Sequence, residues 1–108
     1  MNNWIGIGRA TKDVEKHTTA NGLAVARFSI AVDRKQKNAD GERITDFISV
    51  VAFGKIAEIA EQYIKKGDRV AINGELHITS WEDDSGKKKI GCEILANELV
   101  LLGGKNKE

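Results

Sequence analysis

The stretch "RVAINGELHITSWEDDSG", residues 69–86, changes character at every second residue. Val70, Ile72, Leu76 and Ile78 share one parity, while Ala71, Asn73, Glu75, His77 and Thr79 share the other. A helix would spread these residues around its circumference; a strand sorts them onto two faces, one buried and one wet. The expectation is a long half-buried strand with Val70, Ile72, Leu76 and Ile78 inside. Trp81 then falls on the wet parity, the largest apolar side chain of the segment placed where solvent is expected.

The rest of the chain repeats the strand pattern with one interruption. "NWIGIGR" (3–9) reads as a short first strand, followed by a polar stretch that closes on the Asn21-Gly22 turn pair. In "LAVARFSIAVD" (23–33), Phe28, Ile30 and Val32 share one face and Arg27, Ser29 and Ala31 the other. A charged loop with an Asp40-Gly41 turn leads into "ITDFISVVAF" (44–53), apolar on both parities as in a strand covered on both sides. The interruption is "GKIAEIAEQYIKKGD". Here Ile56, Ile59, Ala60, Tyr63 and Ile64 recur at helical spacing, Lys65 and Lys66 suit a helix C-terminus, and Gly67 is the expected stop. After the strand at 69–82, "EDDSGKKK" reads as a hairpin loop and "IGCEILANELVLLG" (90–103) as a fifth strand.

Five strands with a helix between the third and fourth predict an all-β, five-stranded OB-fold barrel over residues 1–103, with 104–108 as a short polar tail. A half-open SH3-like barrel competes, but it offers no natural place for a helix of this length. An OB-fold binds oligonucleotides on its sheet face and in the loops joining strands one to two and four to five. A chain of 108 residues, 41% hydrophobic and 31% charged, is one small globular domain. No apolar run approaches the roughly 18 residues of a membrane span. "MNNWIGIGR" enters strand-like sequence at once and reads as no secretory signal. The lone Cys92 excludes an intrachain disulfide, fits a reducing cytoplasm, and reads as a small residue in a strand interior.

The formal net charge is only +1, too little for binding driven by overall charge alone. Stacking offers another source of affinity. Phe47 and Phe53 share a parity with Ser49 and Val51, opposite Ile48, Val50 and Ala52. Together with Trp81, and interleaved with Arg27, His77 and Thr79, they would present rings to bases, each of which has a π-face. Periodicity by itself favours the core slightly for the two phenylalanines, and an interface or barrel cap is the alternative for Trp81. Arg34, Lys35, Lys37 and Arg43 in one loop, with Lys87, Lys88 and Lys89 in another, would track phosphates if they are more than solvated turns. Candidates for catalysis are thin. Asp83 and Asp84 are adjacent in a hairpin and point apart, and His17, His77 and Cys92 have neither metal-ligand spacing nor a nucleophile–base pairing. No metal, cofactor or enzymatic activity is expected.

The chain up to about Leu102 resembles the bacterial-type single-stranded DNA-binding protein family. The segments that carry the resemblance are "GRATKDVE", "NGLAVARFSIAVDR", "DFISVVAFGKIAEIAEQYIKKGDRVAINGEL" and "SWEDDSGKKK". The resemblance implies an OB-fold that assembles as a homotetramer. It implies wrapping of single-stranded DNA without strong sequence preference, in replication, recombination and repair, in the cytoplasm at the nucleoid or, for a phage protein, in the host. By position, Phe47, Phe53 and Trp81 stand where that family places stacking aromatics. Lys35, Gln36 and Lys37 replace a further aromatic, Trp4 and Gly6 replace aliphatics, and Val14 stands where proline is usual. Family members commonly end in an acidic, hydrophobic-tipped tail that recruits replication and repair proteins. "GGKNKE" does not match it, which fits either a truncated chain or a short form such as a phage or plasmid encodes. A replisome adaptor on the same fold, with a protein-binding sheet face, is the other reading.

Overall fold

The computed structural model describes residues 1–103; the tail expected at 104–108 lies outside the described residues. The chain order is β1 (Trp4–Ala10), β2 (Glu15–Thr18), β3 (Ala24–Lys37), β4 (Arg43–Phe53), α1 (Gly54–Tyr63), β5 (Arg69–Glu82) and β6 (Lys88–Gly103). The sheet runs β1-β5-β6-β4-β3-β2, and a further pairing of β1 with β3 closes its first five strands. The closing contacts are Arg9 with Ala31 and Ala10 with Ile30. The β4–β6 pairing is parallel, through Val50 with Ile94 and Val51 with Leu95. This is the five-stranded OB-fold barrel, with its helix between β4 and β5.

Inward residues of the closed strands meet in one core. Ile30, Val50, Ile72, Val70 and Ile94 are fully buried, with Phe28, Ala26 and Ala52 packed among them. Gly74 lies on the inward parity where β5 meets the carbonyl of Leu95 so closely that a Cβ would collide with it. Trp4 lies across Gly6 in the same strand, so the space a larger side chain would take at position 6 is filled by the indole. The two departures in β1 therefore compensate each other in volume.

Several readings of the sequence need correction. The polar stretch before Asn21-Gly22 contains a strand, β2, which pairs with β3 from Glu15 opposite Arg27 to Thr18 opposite Ala24. All four of its residues are exposed, so no apolar alternation marked it; backbone pairing at the sheet edge holds it. The helix stops at Tyr63, four residues before Gly67. Ile64 leaves helical geometry and is buried, and the following turn is tied down instead. The Asp68 carboxylate accepts from the Lys65 amide, the Asp13 carboxylate from the Lys66 amide, and the Ala10 carbonyl from Gly67. Lys65 and Lys66 thus lie beyond the helix. Its buried contacts are Ala57 and Ala60, with Tyr63 turned out, because small side chains let the helix lie close on the barrel end.

A further correction concerns the alternation itself. Leu76 and Ile78 keep the inward parity of Val70 and Ile72 but are exposed, Ile78 by 67%. The β5–β6 ladder runs on to Glu82 with Lys88, past the end of the barrel, where the inward face has nothing to cover it. Ile90 and Cys92 on β6 share that bare face; Cys92 sits within a strand and is exposed. β3 and β4 likewise extend as a hairpin to Lys37 and Arg43. The expected loop at 34–43 shrinks to residues 38–42, folded around the Asn38 side-chain oxygen, which accepts from the Asp40 and Glu42 amides. The predicted cover on both faces of β4 holds only at Val50, Val51 and Ala52.

The alanine contact of α1 is open to test by chemical denaturation. Ala60→Leu should cost about 1–3 kcal/mol, as overpacking does in filled cores. Tyr63→Ala should change stability by no more than roughly 0.5 kcal/mol.

Candidate nucleic-acid interface

Residues directly opposite across a ladder share a face, and so do residues two apart along a strand. Phe47 opposes Ala31, Ser49 opposes Ser29, Val51 opposes Arg27 and Phe53 opposes Val25. Val51 is also level with Leu95 on β6. From Leu95 the same parity continues through Glu93 opposite His77, Gly91 opposite Thr79 and Lys89 opposite Trp81. Phe53, Phe47, Arg27, His77, Thr79, Lys89 and Trp81 therefore stand on one continuous outward surface. The parallel β4–β6 pairing makes it continuous, a long-range contact with no trace in local periodicity.

The two phenylalanines are not core. Phe47 is 70% exposed and Phe53 42%, while their strand neighbours Val50 and Ala52 are buried. Trp81 is 53% exposed. Its ring lies over Gly91: a Cβ there would come within 3.2 Å of Cζ3 and 3.4 Å of Cη2. The glycine gives the indole a flat seat against the backbone of β6, leaving ring surface free for a partner. Two shallow depressions flank the Phe47–Ala31 pair. One, of about 300 Å³, is lined by residues including Lys12, Arg27, Ser29 and Ser49. The other, of about 450 Å³, is lined by Arg9, Ala31, Asp33, Thr45 and Arg69 among others.

The cations divide into two groups. The first group is paired. Arg27 Nη1 donates to Glu93 Oε2 at 2.7 Å, and Arg43 Nη1 donates to Asp33 Oδ2 at 3.0 Å. Arg34 forks onto both oxygens of Asp46 at 2.9 and 3.0 Å. Lys89 Nζ lies 3.8 Å from Asp83. Lys35, Lys37, Lys87 and Lys88, at the hairpin ends, make no ion pair among the described residues. Arg34 stands apart from the others, because it and Asp46 share the parity of Ile48, opposite to Phe47. His77 Nε2 is 3.1 Å from Glu75. Hydrogen bonds from Thr45 and then Arg43 hold the Asp33 carboxyl below its ordinary 3.8. Those from Arg34 do the same for Asp46, and the Arg34 guanidinium is pushed up in return.

Arg9, Lys12 and Arg69 were not anticipated on this surface. Arg9 shares the outward parity of Ile5 and Ile7, a signal present in the sequence but overshadowed by the glycines of β1. Glu93 was also passed over, since a lone carboxylate in a strand announces nothing until its partner is placed. Asp83 of the adjacent carboxylates is engaged in its own turn, where its Oδ1 accepts from the Ser85 and Lys87 amides and the Ser85 hydroxyl. The Ser85 hydroxyl, first, and the Lys87 amide lower its carboxyl's affinity for a proton. Among the described residues no group of three His, Cys, Asp or Glu side chains is placed to hold a metal ion. No described helix is long and apolar enough to cross a membrane.

The fold and this face define a closed β-barrel with three exposed aromatic rings, set among arginines and serines, on its outer surface. The model of the single-strand binding protein family matches residues 1–102. "Single-stranded DNA-binding protein 2" of Staphylococcus aureus (strain COL) is 39% identical over 98% of this chain and 76% of its own length. "Single-stranded DNA-binding protein" of Thermotoga maritima is 40% identical over 100% of this chain and 78% of its own length. The chain belongs to the single-strand binding protein family.

The seat beneath Trp81 yields a prediction that needs no ligand. Gly91→Val should lift the indole from β6 and alter the near-ultraviolet circular dichroism of the tryptophan, with the far-ultraviolet strand signal retained. An unchanged near-ultraviolet band would mean that the ring does not rest there.

Proposed function

We propose that the outward surface of β3, β4, β6 and β5 binds single-stranded DNA without strong sequence preference. Phe47, Phe53 and Trp81 stack bases, and Arg27, Arg43, Lys35, Lys37, Lys87, Lys88 and Lys89 contact phosphates. His77 and Thr79 line the path between the rings on β4 and Trp81. The observation that carries this reading is the exposure of all three rings on one continuous face. The printed names of the relatives support it. Rings suit a ligand of any sequence, because stacking asks only for a π-face. Fixed, exposed rings also bring a low ordering cost on binding. The role that follows is protection of single strands during replication, recombination and repair, in the cytoplasm, by the barrel of residues 1–103. Replication and repair proteins are the natural further partners.

The same reading includes self-assembly, most simply as a homotetramer. Only Arg9 and Ala10 of β1 pair with β3, so the rest of that edge carries backbone groups without a strand partner among the described residues. Beside it, Ile5, Ile7 and Val100 form an exposed apolar patch around Ala71. An open edge next to an apolar face favours pairing with another copy. Light scattering at micromolar concentration should give a multiple of the chain mass, and a monomer would remove this part of the proposal.

Trp81→Ala should weaken binding of a long thymidine oligomer by ~1–3 kcal/mol, the range known for single-strand binders of this very type, while the fold survives. Unchanged affinity per folded subunit would make Trp81 structural. Binding should also weaken with salt, by a slope of about −0.7 per phosphate contact. Changing Lys87, Lys88 and Lys89 together to alanine should make the slope shallower. Identical slopes would leave that lysine run merely solvated.

A further inference from the structure

We propose that Glu93 and Asp33 occupy the places of two DNA phosphates on the empty face, and that a bound strand must displace them to reach Arg27 and Arg43. The inference rests on the single-strand-binding reading above and adds how that site is tuned. Both pairs lie on the parity of the stacking rings. Arg27 comes from β3 and Glu93 from β6, so their 2.7 Å contact bridges the intervening β4 strand. The crossing falls near Ser49 and Val51, between Phe47 and Phe53 along β4. A strand stacked on both rings passes over this ion pair. Asp33 sits beside the Phe47–Ala31 pair, one oxygen accepting from the Thr45 hydroxyl at 2.7 Å and the other from Arg43 at 3.0 Å. Each arginine thus already holds an oxyanion in the geometry a phosphate would use.

Exposed ion pairs are weak, so a polyanion with several phosphates can open them. Opening has a consequence for salt dependence. A phosphate that meets an unpaired lysine releases its condensed counterions. A phosphate that takes an arginine from a carboxylate releases the same ions but leaves a bare carboxylate that attracts a cation back. Such contacts bind strand yet add little to the salt slope. Each carboxylate also cancels the positive charge of one arginine on the empty face. Arg34 with Asp46 is a built-in control: the same chemistry, bidentate, on the opposite parity and away from the rings.

The test is titration of an oligothymidine with the full chain over a range of sodium chloride, followed by Trp81 quenching. Parent, Glu93→Gln, Asp33→Asn and Asp46→Asn are compared, with circular dichroism melting to establish that each is folded. Glu93→Gln and Asp33→Asn should each bind roughly two- to fivefold more tightly at low salt, with a slope steeper by about 0.7. Asp46→Asn should keep the parental slope. The two carboxylates report independently, so one unfolded variant leaves the other to decide. Weaker binding or an unchanged slope in the folded variants would mean the carboxylates hold the arginines in position for DNA, and the displacement model falls. A steeper slope in Asp46→Asn as well would reduce the effect to general charge and overturn it too. Failure of the parent to bind would remove the functional reading itself, whereas parental binding with unaltered slopes removes only this inference.

Discussion

The structure depends on closure of the sheet. β1 meets β3 through two residue pairs only, Arg9 with Ala31 and Ala10 with Ile30. β4 meets β6 through two more, Val50 with Ile94 and Val51 with Leu95. These four pairings are few beside the long antiparallel ladders, yet they turn a ribbon into a barrel with one inside and one outside. The core residues Ile30, Val50 and Ile94 are themselves at the junctions, so burial and closure reinforce each other. The outside gains a property that no hairpin has alone: rings from β4 and from β5 belong to the same surface.

Local pattern carried much of this. The period of two marked the inward residues of β3 and of the first part of β5, and the 3.6-residue recurrence placed one helix between β4 and β5. What local pattern lacked were the facts set by the barrel's length and by long-range contacts. Leu76 and Ile78 continue the apolar parity of Val70 and Ile72 without a hint that the barrel has ended beneath them. β2 has no apolar residue to reveal it. Tyr63 fits helical spacing as well as Ala60 does, but the distance between α1 and the barrel admits the methyl and excludes the phenol. Phe47 and Phe53 were ambiguous because β4 is apolar on both parities; only their exposure separates them from Val50 and Ala52. The cations were visible as residues, but the carboxylates beside them were visible only in three dimensions.

Near-neutral overall charge is reproduced at the scale of single contacts. Arg27, Arg34 and Arg43 make ion pairs with carboxylates, whereas Lys35, Lys37, Lys87 and Lys88 at the hairpin ends make none among the described residues. Loops hold mobile charge well, because a flexible ammonium can follow a phosphate; a fork-shaped guanidinium is more useful where the backbone fixes its root.

The chain has two tryptophans, and the fold gives them opposite surroundings. Trp4 is packed across Gly6 against the core, while Trp81 rests on Gly91 with half its surface in water. The molecule therefore carries two separate optical gauges. Emission from Trp4 answers to the packing of the barrel and emission from Trp81 to what lies on the face; the two bands overlap, so a Trp4→Phe chain isolates the face and a Trp81→Phe chain the barrel.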